Sequence, residues 1–203
     1  MPEAGSSYWE EIGAGFRHLF TTPTLGTLTI VLAVAFAVIG MVNAAIFPLM
    51  EKGLGIQPAM LGVFVSLQGV GAVAGGITSS TAVARFTEKG AIAGGMLLIG
   101  IGLLPFIGTN VVLAYLGMMV LGLGVPWVVV GYMTLRQKLT PPQLQGRTAA
   151  ASNVALSLPQ TLMTMAAATM IDAIDYRLLF VAAATVTLIS VLAVMKTRQP
   201  VSS

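Results

Sequence analysis

Four uncharged amides stand inside otherwise apolar runs: Asn43, Gln68, Asn153 and Gln160. Each brings donors and an acceptor into a stretch where an unpartnered polar group costs about 2–7 kcal/mol. Their chemistry is hydrogen bonding, not bond breaking. Two outlets satisfy them. One is a helix–helix hydrogen bond, worth about 0.6–2 kcal/mol. The other is a wet cavity lined for an amphipathic ligand. Trp127 and Tyr132 share one apolar run with Met133. Core packing accommodates both aromatics, and a place in the interfacial aromatic belt also suits Tyr132.

Bond-making chemistry has little to work with. The chain has no cysteine and one histidine, His18, in a polar N-terminal stretch where a solvated interfacial side chain is the plain reading. No serine in the apolar runs has a base beside it, so intramembrane proteolysis lacks its second group. No His, Asp and Glu cluster is spaced for a metal. Asp172 and Asp175 lie three apart at a helix end, which suits capping and topology. The glycines follow packing stripes and not a strand-to-helix phosphate loop. The residues predict no enzyme, no cofactor and no metal site.

The elements that position these groups are set by composition. Apolar residues make up 56% of the chain and charged residues 8%, against about a quarter charged in soluble domains. This is a membrane composition, and the length suits six spans of about 20 residues. The net charge of +3 is distributed over loops, so it is a topology signal and not a nucleic-acid footprint. The N-terminus is polar and acidic, without the basic n-region of a signal peptide.

Residues 6–22 read as an amphipathic helix, with Ser6 or Ser7 as cap, Glu10 and Glu11 in its first turn, and Trp9, Ile12, Phe16, Leu19 and Phe20 on one face. Spans follow at 24–50, 58–83, 91–108, 111–135, 148–171 and 178–195. Loops at 51–57, 84–90 and 136–147, a short link at 109–110 and a turn at 172–177 join them. Gly117, Gly124 and Gly131 fall seven apart on one face of the fourth span. Pro126 and Pro159 interrupt the fourth and fifth spans and mark bend points, either static kinks or hinges.

Arg17, Arg85, Lys89, Arg136, Lys138, Arg147, Lys196 and Arg198 lie in the even loops and the two ends, and only Lys52 and Arg177 in the odd loops. That bias predicts both termini in the cytoplasm. Spans one to three and four to six share an order of long, small-residue-rich and apolar helices. Three helices per unit is odd, so the second unit is inverted relative to the first. The expected fold is all-α and integral to the membrane, with six transmembrane helices as two inverted three-helix repeats. The domain reading is a cytoplasmic segment at 1–23, a bundle at 24–195 and a cytoplasmic tail at 196–203.

Four patterns in this order resemble the C-terminal six-helix half of a major facilitator superfamily transporter, and its drug and macrolide efflux permeases in particular. EEIGAGFRHLFTTPTLGTL is similar to the helix leading into the seventh span, and LGVFVSLQGVGAVAGG to the eighth. TLRQKLTPPQLQGRTAAASN is similar to the loop between the tenth and eleventh, and DYRLLF to the turn into the last. The Asp-Arg-x-Gly-Arg signature of the family is degraded in 84–90. The resemblance implies that the first and fourth spans of the half line a cavity, which brings in Asn43, Met41, Trp127, Tyr132 and Met133. Gln68, Asn153 and Gln160 are its further polar candidates, with Arg85, Lys89, Arg136 and Arg147 in cytoplasmic gating loops.

It also implies a secondary active transporter of the cell (inner) membrane, proton-coupled, exporting small lipophilic compounds by alternating access. No Asp, Glu, Lys, Arg or His lies within the predicted spans, so the coupling acid would come from elsewhere. The implied partners are the lipid bilayer, a small-molecule substrate, and an N-terminal transporter half or a second copy of the chain, with no nucleic acid. Two other readings are a split or truncated permease half that does not transport by itself and a membrane scaffold subunit.

Overall fold

The computed structural model describes residues 8–171 and 173–197. The expected caps Ser6 and Ser7, the side chains of Trp9, Glu10, Glu11 and Ile12, and Asp172 and Arg198 lie outside the described residues. The described residues are mostly helical, with no strand among them: α1 (Tyr8–Thr21), α2 (Pro23–Pro48), α3 (Leu61–Leu103), α4 (Val111–Leu139), α5 (Gln145–Met170) and α6 (Tyr176–Lys196). Short π and 3-10 turns cover Leu49–Gly53, Pro58–Met60, Leu104–Ile107 and Pro142–Leu144. Pro23 opens α2 at a position where its missing N–H costs nothing. Asn110 and Asp175 cap α4 and α6, their side chains accepting from the backbone N–H of Leu113 and Arg177.

The connection expected at 84–90 is tighter than a seven-residue loop: two helices meet at one non-helical residue, Thr87, with φ 66° and ψ 169°, and the chain reverses there. Thr87 divides α3 into a first arm, 61–86, and a second arm, 88–103. A β-branched residue rarely adopts that conformation.

Glycine spacing decides how α4 packs. Gly117, Gly124 and Gly131 all face the second arm, against the backbone of Gly102, Gly95 and Glu88 in turn. Gly95 and Gly102 are themselves seven apart, so two heptads of glycine meet face to face in antiparallel register. The opposite face of α4 meets the first arm, where Gly71 lies on Met119, Gly75 on Leu123, and Gly122 on the carbonyl of Gln68. Small residues allow the backbones this approach, which is how helices associate when the surroundings are as apolar as the side chains.

Further contacts fix the two ends of the bundle. At one end Lys138 of α4 pairs with Glu88, Lys89 Nζ donates to the Thr197 carbonyl at 2.8 Å, and His18 Nε2 lies 3.3 Å from the Leu139 carbonyl. At the other, Phe64 meets Tyr115 edge-on with centroids 5.2 Å apart, and Phe106 meets Phe180 at 5.3 Å. Lys52 and Arg177 line one polar cleft there. The helix α1 lies along α5, with Gly15 on the Arg147 backbone and Leu19 buried beside Leu25 and Ala151.

Four stretches are long and apolar enough to cross a membrane: Pro23–Gly53, Pro58–Ile107, Val111–Leu139 and Tyr176–Lys196. The second contains both arms of α3. α5 is 26 residues long but carries Asn153, Ser157, Gln160, Thr161 and Thr164 and is not among them.

Candidate functional site

Within the bundle α2 packs on α5 and α3 packs on α4, and α6 joins the pairs by touching both α2 and α3. A cavity of about 270 Å³ opens on the seam between the pairs. Leu32 and Phe36 of α2 form one wall. Val128, Val129, Tyr132, Met133 and Arg136 of α4 form the second, and Asn153, Leu156, Ser157 and Gln160 of α5 the third. Helical spacing explains the set. Positions 128, 132 and 136 follow one another at four-residue intervals, so they stack on one face of α4, and 153, 157 and 160, at steps of four and three, share one face of α5.

One buried hydrogen bond is made by a lining residue. The Tyr132 hydroxyl and Thr29 Oγ1 lie 2.7 Å apart, buried, and tie α4 to α2. With its hydroxyl committed there, Tyr132 presents its ring to the cavity. Ser157 donates back to the Asn153 carbonyl at 2.7 Å, which satisfies it without a ligand. Asn153 and Ser157 are exposed along the rim.

Of the sequence-predicted residues, the fold brings Tyr132, Asn153 and Gln160 together, with Met133 beside them. Four others stand elsewhere. Asn43 is exposed on α2, and Met41 packs against the main core. Gln68 sits on the first arm with its backbone against Gly122. Trp127 faces away from the cavity: its ring lies on Gly94, and its indole N–H donates to Thr78 Oγ1 at 2.9 Å. Pro126 and Pro159 lie inside continuous helices, each next to or near a lining residue.

The basic residues also redistribute. Arg85 is exposed beside the Thr87 break, Lys89 is buried against the end of α6, and Arg147 lies half-buried at the start of α5. Arg136 corrects the sequence reading most. Hydropathy assigns it to a loop after a span ending at Leu135, but α4 continues to Leu139. Arg136 is therefore helical, only 8% exposed, and a wall of the cavity. Among the described residues its guanidinium makes no hydrogen bond or ion pair. It also lines a smaller cleft of about 150 Å³ with Gln137, Thr140, Gln145 and Ala149. There Thr140 Oγ1 is buried without a partner. The four-residue step from Tyr132 was the signal in the sequence, hidden by where the span was ended. Among the described residues no group of three His, Asp or Glu comes together.

Long apolar helices packed through glycine faces, with an apolar cleft between helix pairs, define a multi-pass membrane protein. The sequence matches the Major Facilitator Superfamily over residues 28–203, and the chain belongs to that superfamily of membrane transporters. No curated protein matches the sequence.

Proposed function

We propose that the chain forms one six-span half of a secondary active transporter that exports small lipophilic compounds by alternating access. The observation that carries this reading is the cleft between the α2–α5 and α3–α4 pairs, mostly apolar along α2 and α4 and edged on α5 by Asn153, Ser157 and Gln160. Such lining suits a mostly apolar ligand oriented by a few polar groups. Export and proton coupling rest on the resemblance to drug and macrolide efflux permeases, and the coupling acid is assigned to a second six-helix unit. That unit, an N-terminal half or a second copy, closes the open side of the cleft.

An inverted repeat accounts for the packing. Exchanging α2 with α4, the first arm with α5 and the second arm with α6 turns the pairings of α2 into those of α4. The α2–α5 contact becomes α4 on the first arm, and α2–α6 becomes α4 on the second arm. The two units also share one close approach: Gly40 lies on the Gln160 carbonyl as Gly122 lies on that of Gln68. The six helical runs then each cross the membrane. Both termini fall on the cytoplasmic side, since Lys138, Lys89 and His18 cluster at one end and Lys52 and Arg177 at the other.

Thiol labelling tests the cleft, because the chain has no cysteine of its own. Gln160→Cys should react with a membrane-impermeant maleimide from one side of the membrane, and Val181→Cys, exposed on α6, should not. Equal protection of both would mean a dry scaffold and would end the transport reading.

A further inference from the structure

We infer that the ligand of the seam cavity carries a negative charge: an amphipathic organic acid whose acidic group is held by Arg136 and whose apolar body lies against Phe36, Val128 and Leu156. The inference rests on the transport reading and names its substrate class. Three observations carry it. First, Arg136 is the one charged residue in the cavity wall. Second, the residue is only 8% exposed and its guanidinium is, among the described residues, unpaired. Burying a cation without a partner costs several kcal/mol, and natural structures relieve that with a carboxylate, a phosphate or water. Third, a second unanswered donor stands beside it. Thr140 Oγ1 is buried without a partner in the smaller cleft that Arg136 also lines.

Arg136 therefore joins two spaces of opposite character. On one side is the apolar cavity. On the other is a polar cleft offering the guanidinium, the Thr140 hydroxyl and the amide of Gln145. An acid with an apolar tail fits the pair: oxygen atoms toward Thr140, hydrocarbon toward α2. A planar guanidinium engages a carboxylate through two parallel N–H···O bonds, a geometry lysine cannot reproduce. A neutral lipophilic compound of the same size would fill the cavity and leave the charge unanswered.

The test uses the purified full chain in phosphatidylcholine nanodiscs and two matched probes, decanoate and its neutral analogue decanamide, titrated calorimetrically. Decanoate should bind at least about tenfold more tightly, the scale of a charge-assisted hydrogen bond. Arg136→Gln should weaken decanoate about 10–100-fold and leave decanamide within about twofold, with Arg136→Lys between. Ser157→Trp, which fills the cavity, should abolish binding of both.

Equal affinity of the two probes for the wild type would overturn the inference, as would equal weakening of both by Arg136→Gln. If decanamide binds, is blocked by Ser157→Trp, and decanoate gains nothing, the cavity stands and only the acid reading falls. If Ser157→Trp changes neither probe, the cavity is not the site and both readings fall. Adding phosphatidylglycerol separates two sources of the same chemistry. Displacement of decanoate would assign the acidic group to a lipid phosphate, and no displacement would assign it to a free acid. Thermal unfolding of each variant checks that it is folded.

Discussion

Two glycine heptads of this chain, 117, 124, 131 and 62, 69, 76, lie in opposite environments, and the same substitution should have opposite signs on them. At Gly124 an added Cβ meets the Gly95 carbonyl and crowds Ile99 and Leu98. At Gly69 it meets nothing within 4 Å, and the same holds for Gly62 and Gly76. Alanine in place of a helical glycine gains about 0.5–1 kcal/mol from the backbone alone. At Gly124 that gain is opposed by forcing two backbones apart, about 1–3 kcal/mol for an overpacked site. The obstructing atom is a carbonyl, not a flexible side-chain end, so the upper part of that range applies. The net expectation is a loss of about 1–2 kcal/mol for Gly124→Ala and a gain of about 0.5 kcal/mol for Gly69→Ala.

The assay is equilibrium unfolding in mixed dodecylmaltoside and dodecyl sulfate micelles, followed by far-ultraviolet circular dichroism. Gly95→Ala combined with Gly124→Ala should cost less than the two single losses added, because both act on one contact. A Gly124→Ala protein as stable as the wild type would refute the packing reasoning. The open heptad adds a second use. If a second six-helix unit packs on 62, 69 and 76, Gly69→Ala should weaken that association while stabilising the isolated chain.

Two further outcomes follow from single residues. Thr87→Gly should stabilise the chain by about 1 kcal/mol, since φ 66° with ψ 169° is glycine territory whose relief exceeds the entropic cost of glycine; the same micelle unfolding reads it, and a loss of stability would mean that the Thr87 side chain matters more than its backbone. Tyr132→Phe should cost about 1–3 kcal/mol by orphaning the buried Thr29 hydroxyl, and adding Thr29→Val should recover part of that loss; failure to recover would show the pair to be energetically idle.

Much of the fold could be read from the chain because lipid-facing sequences are constrained by length and charge placement. The start of α4, both ends of α6 to within two residues, the punctuation at Pro23, Asn110 and Asp175, and the shared face of Gly117, Gly124 and Gly131 all follow from local rules. The single-residue reversal at Thr87 did not, because nothing local favours a β-branched residue at positive φ; the arms of α3 and the contacts of Glu88 and Lys89 hold it there. The site was harder for the same reason. Asn153, Gln160 and Tyr132 stand out as polar or aromatic groups in apolar runs, but so do Asn43, Gln68 and Trp127, and only packing separates the two sets. Trp127 illustrates the difference. Its indole finds Thr78 on the first arm, a partner 49 residues away in sequence that no periodicity predicts.

Arg136 shows where such reading goes astray in a membrane chain. A hydropathy span ends at the first charge because a charge is costly in hydrocarbon, so an arginine next to a span is assigned to the loop by construction. The helix is under no such rule: its backbone hydrogen bonds continue to Leu139, one turn further. An arginine in that last turn is also favoured by the carbonyl end of the helix dipole, which lets it remain helical while its head turns inward. Four residues from Tyr132, it shares the cavity face. The residue that a hydropathy criterion discards is thus the one whose buried, unanswered charge constrains what the cavity can hold.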